Sequence, residues 1–270
     1  MKCRGKSKSP AHHTLAESLL YQIGKPLPKF VKTKIYSKFP KDHYWKLLHE
    51  ELAETDCKTV FISSEAFSRL RGSREMMEFV KNQFSDYQVK VLVYRRSQVE
   101  YFESAYNQAV KRNGETRTMD EMMKSGWLSM DYFAEIEQWA AVFGFENMVV
   151  RIYDRNRFAG NYVVEDVLAL PQIKLQGSIL KTKRWWFNTN FNLRLPNNMV
   201  ETKRHINKNY RMLRFLDNAI VFWLQMLGKF YDPVELFTRE QKKFIFHHFY
   251  ESNKMLGQKY LGGEYPFEKK

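Results

Sequence analysis

Three short runs of apolar residues stand out along the chain. They cover residues 59–63, 89–94 and 148–153, and the second is almost wholly apolar and rich in β-branched side chains. Such a continuous run is typical of a strand buried on both faces of a parallel sheet. The segments between the runs are long enough for the helical crossovers that parallel strands require. The pattern therefore predicts an α/β protein with a central parallel sheet flanked by helices.

Elsewhere, apolar residues recur three and four positions apart, which is the period of one helix face. The helix predicted over residues 131–143 is strongly amphipathic and is followed by Gly144, a residue type common after helix ends. The most apolar window, at 219–227, is expected to be a buried helix. Further helices are predicted over residues 11–23, 42–53, 73–84, 210–229 and 238–261. Thr118 with Glu121, and Thr238 with Gln241, have the spacing of capping boxes that open helices.

The composition adds a strong charge bias. The 270 residues carry a formal net charge of +14 and a sequence pI near 9.6, and 44% of them are hydrophobic. A chain of this size and apolar content can bury a substantial core. The positive charge favours a polyanionic or phosphorylated partner, whether a nucleotide, a sulfated glycan, nucleic acid or an acidic membrane surface. Charge alone does not choose among them.

Cysteine use and hydropathy predict a cytoplasmic protein without a membrane span. The two cysteines, Cys3 and Cys57, offer neither a disulfide framework nor a metal-ligand spacing. No apolar core of a signal peptide follows the basic start of the chain. The window at 219–227 is interrupted by Gln225 and is much shorter than the roughly 20 residues that cross a bilayer.

The segment at residues 89–112 carries the most specific chemistry. Its apolar run ends at two arginines, Arg95 and Arg96. Ser97 then stands three residues before Glu100, the spacing of a helix capping box. The segment therefore predicts a strand, a turn that holds Arg96, and a helix. The apolar face of that helix consists of Val99, Phe102, Tyr106 and Val110.

The other face of this predicted helix is polar. At about 1.5 Å per residue, Ser104 lies roughly 10 Å along the axis from Ser97, and the long Arg96 side chain can extend along the same flank. An anion beside the first two turns could therefore contact both Arg96 and Ser104. The alternative is an ordinary solvated helix face with an arginine at the edge of a strand. The face consists of Tyr101, Ser104, Gln108 and Lys111.

The sequence YRRSQVEYFESAY, which contains Arg96 and Ser104, resembles the 3'-phosphate-binding segment of sulfotransferases that use the donor 3'-phosphoadenosine 5'-phosphosulfate (PAPS). The surrounding segments stand in a similar order, with VFISSEAF before it and MDYFAEIEQWAAVFGFENMVVRIYDR and ESNKMLGQKYL after it. Over most of residues 11–262 the chain therefore resembles the bacterial sulfotransferase-like family. The resemblance implies a P-loop NTPase-like sulfotransferase fold in a single domain at 11–262, between a flexible basic N-terminus at 1–10 and a C-terminal tail at 263–270.

The resemblance also implies a binding site for the PAPS co-substrate. Arg96 and Ser104 would hold the 3'-phosphate, and a basic residue of the loop at 181–188, represented by Lys183 and Arg184, would close over it. The alternative for that loop is an exposed basic segment whose tryptophans pack back onto the protein. No ligand spacing implies a metal, and sulfuryl transfer does not require one.

Glu65 is the candidate general base. It follows the first apolar run directly, and residues beyond the carboxyl ends of parallel strands share one edge of the sheet, so we expect it near Arg96. Partial burial there would suit a carboxylate to proton acceptance. Sulfotransferases place a histidine or a glutamate at about this point. The alternative is a carboxylate that stabilises the N-terminus of the helix after Ser64.

One part of the family pattern is missing from the sequence. The family opens with a strand and a loop of the kind PKTGTT, whose backbone N–H groups hold the 5'-phosphosulfate. We therefore expect the first strand and this loop to be absent from the chain. The best functional prediction is a sulfotransferase that acts on an acceptor hydroxyl, with a carbohydrate as the candidate acceptor. The alternatives are a catalytically inactive relative that binds a nucleotide 3'-phosphate or an anionic glycan, and a nucleic-acid-binding protein, which only the charge suggests.

Overall fold

The computed structural model of the chain describes residues 12–27, 34–38, 40, 42–127, 130–171, 194–232 and 234–267. Over these residues the protein is mixed α/β and mostly helical, with a small parallel sheet of two strands, β1 (Val91–Arg95) and β2 (Met148–Ile152). The second and third predicted strands are therefore confirmed. None of the described helices is long and apolar enough to cross a membrane.

Helices account for most of the described chain. Before β1 stand α1 (His13–Gln22), α2 (Lys34–Ser37), α3 (His43–Ala53) and α4 (Arg74–Asn82). Between the strands stand α5 (Gln98–Gln108), α6 (Met119–Met122) and α7 (Tyr132–Phe143). After β2 come α8 (Val163–Leu168), α9 (Asn197–Asn209), α10 (Asp217–Leu227), α11 (Arg239–His248) and α12 (Tyr250–Tyr260).

Side-chain caps explain where several helices begin. Thr118 and Glu121 form a reciprocal capping box at the start of α6, and Thr238 and Gln241 form another at the start of α11, as their spacing predicts. Ser97 caps α5 by accepting a hydrogen bond from the Glu100 N–H at 3.3 Å. These contacts satisfy N–H groups that have no partner within the helix.

The chain divides into two compact units. Unit 1 comprises Met1–Val93, Ala134–Val149 and Asp166–Ser178, and unit 2 comprises Tyr94–Phe133, Val150–Glu165 and Ile179–Lys270. In unit 1 the fully buried Trp45 ring meets the rings of Phe79 and Phe84 edge-on, with centroid distances of 5.7 and 6.0 Å. The other buried apolar residues of unit 1 include Leu15, Leu19, Leu20, Leu48, Leu70, Met77 and Ile136.

The core of unit 2 is built around α5. As the helical period predicts, Phe102, Tyr106 and Val110 are buried, and Val99 packs against the same cluster. The side chain of Asn107 binds both backbone groups of Leu195, at 2.7 and 3.1 Å, and so fixes the start of α9 beside α5. The rest of the cluster comprises Met119, Met122, Leu195, Met199, Val200, Leu224, Phe237, Ile245 and Phe249.

The first predicted strand is wrong. Residues 59–63 are irregular, and Val60 and Phe61 are exposed. The reason is visible in the hydrogen bonds: the Ser63 carbonyl accepts from the His12 N–H at 2.9 Å, and the Ser63 N–H donates to His12 Nδ1 at 3.2 Å. These backbone groups bind the residue before α1 instead of a neighbouring strand.

Three further expectations change. β1 is half-buried along its length instead of fully buried. Residues 210–229 form a 3₁₀ helix (Arg211–Leu216) followed by α10 and a second 3₁₀ turn (Gly228–Phe230), and the apolar window at 219–227 is exposed on one side. The helix predicted over 238–261 is two helices, because the chain bends at Phe249, whose ring is buried and stacks on Phe102 at 6.0 Å.

Candidate functional site

In unit 2 the ends of the two strands lie side by side. The Tyr153 N–H, just past β2, donates to the carbonyl of Arg95, the last residue of β1, at 2.7 Å. Arg96 and Ser97 follow β1 and lead into α5, while Asp154 follows β2 and caps a 3₁₀ turn, Arg155–Arg157, by accepting from the Asn156 N–H at 3.0 Å. Two turns rich in arginine therefore meet at the carboxyl edge of the sheet, where ligands of parallel sheets bind.

The arginines at this edge differ in their contacts. The Arg95 guanidinium lies over the Tyr132 ring, 4.9 Å from its centroid, in a cation–π contact. Arg157 has a long ion pair with Glu264, at 3.9 Å. Within the described part of the chain, the side chains of Arg96 and Arg155 form no hydrogen bond or ion pair. Arg96 is half-buried and Arg155 is exposed. Both guanidinium groups are therefore free to bind an anion.

Ser104 is half-buried on α5, about two turns from the N-terminus of the helix. Its hydroxyl has no hydrogen-bond partner among the described residues, and the same is true of the exposed Gln108 side chain. Lys111 does not belong to this open face. Its side chain is buried within the π turn at Ala109–Asn113. Burial and the neighbouring Arg112 lower the pKa of its ammonium group.

Sequence analysis missed Glu103, which precedes Ser104 on α5. The carboxyl is half-buried, and burial raises its pKa, although the nearby cations of Arg194 and Lys242 act in the opposite direction. No pattern in the sequence marks Glu103, since its burial depends on residues far along the chain.

Glu65 is not placed as predicted. It is exposed, it lies in unit 1, and it is the first residue of a 3₁₀ helix, Glu65–Leu70, instead of the residue after a strand. Ser64 caps this helix by accepting from the Ala66 N–H at 3.1 Å. The partial burial that would suit Glu65 to act as a base is absent. Its position at a helix N-terminus matches the alternative interpretation, because a carboxylate is favourable there.

A serine–histidine contact beside Glu65 was also missed. His13 Nδ1 lies 2.7 Å from the hydroxyl oxygen of Ser64. A histidine in hydrogen-bond reach of a hydroxyl is the first part of a nucleophile–base pair. Here the same hydroxyl caps the 3₁₀ helix, and the contact connects α1 to the segment before that helix. The two residues are 51 positions apart, so no local spacing reveals them.

Lys183 and Arg184 lie outside the described residues. Over the residues that are described, no group of three or more His, Cys, Asp or Glu side chains could hold a metal ion. Of the predicted site residues, Arg96 and Ser104 lie in unit 2 beside and along α5, and Glu65 lies in unit 1.

Comparison with known proteins adds one relative. The chain is 28% identical over 211 residues to an uncharacterized protein of Archaeoglobus fulgidus. The alignment covers 77% of this chain and 55% of the archaeal protein, so the chain spans about half the length of that relative. No family model matches the chain. No solved structure matches it either.

Proposed function

We propose that the chain is a sulfotransferase of P-loop-like fold, and that Arg96 and Ser104 bind the 3'-phosphate of PAPS. The observation that carries the proposal is the half-buried Arg96 guanidinium, which stands at the carboxyl end of β1 without a partner among the described residues. Arginine matches the geometry of a phosphate with two parallel N–H donors. A half-buried arginine without a protein partner keeps its N–H donors available to a bound anion.

The surroundings of Arg96 support an anion as that ligand. Ser97 places the N-terminus of α5 directly after Arg96, and the N–H groups of a helix N-terminus carry partial positive charge. The Ser104 hydroxyl can donate one further hydrogen bond. Arg155, at the end of the adjacent strand, adds a second cation at the same edge of the sheet.

The proposed reaction moves a sulfuryl group. The bond between sulfur and the 5'-phosphate oxygen of the donor breaks, a bond forms between sulfur and an acceptor hydroxyl oxygen, and the hydroxyl proton passes to a base. The products are the sulfate ester and 3'-phosphoadenosine 5'-phosphate (PAP). As in phosphoryl transfer, positioning and cations that stabilise the moving group provide the catalysis. The resemblance assigns the base to Glu65 and further donor contacts to Lys183 and Arg184, with a carbohydrate as the candidate acceptor.

The first test is calorimetric titration of the chain with PAP. We expect Arg96→Ala to weaken binding at least tenfold, because a hydrogen bond to a charged group contributes about 1.5–3 kcal/mol. Ser104→Ala should also weaken it about tenfold, since its hydroxyl would donate to the same charged phosphate. Arg239→Ala is the matched control, because it removes one exposed positive charge from α11. Equal affinity of the wild type, Arg96→Ala and Arg239→Ala would contradict the proposal.

A second candidate is binding of the nucleotide without transfer. The exposed position of Glu65 favours it, because an exposed carboxylate at a helix N-terminus has no feature of a tuned base. A transfer assay with radiolabelled PAPS and a panel of sugars separates the two candidates. Labelled product that disappears in Glu65→Gln would support the enzyme. PAP binding without labelled product for any acceptor would support the second candidate.

A further inference from the structure

Helix α10 and the turns on either side of it expose an unusual amount of apolar surface. Phe222 is 56% exposed and Trp223 is 63% exposed, while Phe215 before the helix and Phe230 after it are 81% and 82% exposed. Exposed single apolar residues are common, but a concentration of them in one helix and its flanking turns marks a site of interaction. We call this surface the α10 face. It consists of Met212, Phe215, Leu216, Phe222, Trp223, Met226, Leu227, Phe230 and Tyr231.

Four residues of the α10 face, Phe222, Trp223, Met226 and Leu227, lie on the exposed side of the helix itself. Val221 and Leu224 are buried and lie on the side that packs in unit 2. Phe222, Trp223 and Met226 lie on the opposite side, at the three- and four-residue spacing of neighbours on a helix surface. The Phe222 and Trp223 rings are in contact, with centroids 5.8 Å apart. A helix that is apolar on both sides is normally covered on both. Among the described residues, nothing covers the exposed side of α10, which makes it a candidate binding surface.

The charges around this face are mostly positive. Between residues 208 and 232 the chain carries four basic residues, Lys208, Arg211, Arg214 and Lys229, and two acidic residues, Asp217 and the exposed Asp232. Asp217 forms an ion pair with the buried Lys203 at 2.8 Å, so it does not offset the exposed cations. Phenylalanine, tryptophan and tyrosine between arginines and lysines are the residues that lie at the boundary between lipid head groups and acyl chains.

We propose that the α10 face binds the surface of an anionic lipid bilayer, with its aromatic side chains among the head groups and its cations on lipid phosphates. A second copy of the chain is the other possible occupant. A symmetric contact through this face would bring the same four cations of both copies together, and each copy carries a net charge of +14. Charge complementarity therefore favours an anionic surface over a second cationic chain. The inference does not depend on the proposed sulfotransferase activity.

Co-sedimentation with lipid vesicles tests this directly. The full chain should sediment with vesicles of equal parts phosphatidylcholine and phosphatidylglycerol, and it should stay in solution with phosphatidylcholine alone. Phe222→Ser together with Trp223→Ser should lower the bound fraction by more than about tenfold, because two large apolar side chains no longer leave water. Arg211→Gln and Lys229→Gln should each lower the bound fraction by about fivefold, because each substitution removes one positive charge that the anionic lipid surface attracts.

The matched control is Phe244→Ser. Phe244 lies on α11 and is 55% exposed, almost the same as Phe222, so its substitution removes a similar exposed ring without touching the α10 face. It should bind vesicles as the wild type does. Thermal unfolding followed by circular dichroism checks that each variant is folded. Arg96→Ala should also bind normally, so failure of the PAPS site and failure of the membrane site are distinguishable.

Two results would overturn the membrane proposal. One is vesicle binding that is absent in the wild type or equal in Phe222→Ser/Trp223→Ser and Phe244→Ser. The other is a wild-type dimer in sedimentation velocity without lipid that Phe222→Ser/Trp223→Ser converts to a monomer, because the face would then be an interface between two copies.

Discussion

The two adjacent arginines at the end of β1 have different environments although their chemistry is the same. The Arg95 guanidinium lies over the Tyr132 ring, whereas Arg96 has no charged or ring contact among the described residues. Successive side chains of an extended chain point to opposite sides. The side on which each arginine lies therefore decides which one can bind an anion.

Glu103 gives a prediction at the same scale. Folding raises the pKa of Glu103, so ionisation of its carboxyl lowers the free energy of unfolding. This cost is absent below the ordinary pKa of 4.5, where the carboxyl is protonated in both states, and it develops as the pH rises through the raised pKa. Glu103→Gln removes this cost. We expect the variant to be more stable than the wild type at neutral pH, with a difference that disappears below pH 4.5.

Urea unfolding at several pH values measures this difference. Glu50→Gln, at an exposed site on α3, is the matched control for the loss of one surface carboxylate. A Glu103→Gln variant that is less stable than the wild type at neutral pH would show that the carboxylate has a favourable partner instead of a burial cost.

Between elements, a buried ion pair fixes α9 against α10. Lys203 of α9 is fully buried and pairs with Asp217, the first residue of α10, which is 30% exposed. Lys203 also donates to Asn207, and the Asn207 amide donates to the carbonyls of Val110 and Glu115 at 2.8 and 3.0 Å. Lys203 therefore connects α9 to the first residue of α10, and Asn207 connects α9 to the turn after α5.

The two partners of this pair should differ in the cost of their removal. Asp217→Asn leaves a fully buried ammonium without its carboxylate, and breaking a buried pair in this way costs about 3–5 kcal/mol. Lys203→Met keeps a buried apolar side chain and leaves an aspartate that water can reach. We therefore expect the free energy of unfolding to fall by only about 1 kcal/mol, the upper value for a solvent-exposed ion pair. Urea unfolding at neutral pH measures both values. An equal or larger loss in Lys203→Met would contradict this asymmetry.

The whole molecule carries a net charge of +14, which attracts anions over a distance that the ionic strength determines. The Debye length falls from about 30 Å at 0.01 M salt to about 8 Å at 0.15 M. Remote cations therefore assist ligand binding only at low ionic strength, whereas a direct contact is screened much less.

Salt dependence should therefore separate the proposed PAPS site from the general charge. We expect PAP affinity of the wild type to fall as salt rises, and the small deficit of Arg239→Ala to vanish at about 0.15 M. The deficit of Arg96→Ala should persist at the same salt concentration. If the Arg96→Ala deficit also vanishes, Arg96 acts only as one charge among many. Calorimetric titration at the two salt concentrations provides the measurement.

Local patterns predicted much of the fold. The apolar period placed α1, α3, α4 and α7 within a few residues, and the threonine capping boxes marked the starts of α6 and α11. These features depend on contacts within one or two helical turns, so the residues that determine them are adjacent in the sequence. The strand–turn–helix segment around Arg96 was predicted for the same reason.

Other features required contacts between distant residues. Residues 59–63 are apolar enough for a strand, but their backbone binds His12 instead of a strand neighbour. Residues 219–227 are apolar enough to be buried, yet the described residues of its own unit cover α10 on one side only. In both cases hydrophobicity measures a tendency to leave water, while the surface that accepts the segment is formed by residues far along the chain.

The sequence by itself determined the helices with clear periodicity and caps, the two strands of the sheet, the buried face of α5 and the position of Arg96 beyond a strand end. Only the tertiary structure decided that Arg95 contacts Tyr132 while Arg96 has no partner among the described residues. It also decided that Lys111 is buried, that Glu65 is exposed, and that α10 presents an aromatic side to solvent. The physical reason is that burial and pairing require two segments in contact. The sequence of one segment shows which of its residues are apolar or charged, but the tertiary fold determines which distant segment it contacts.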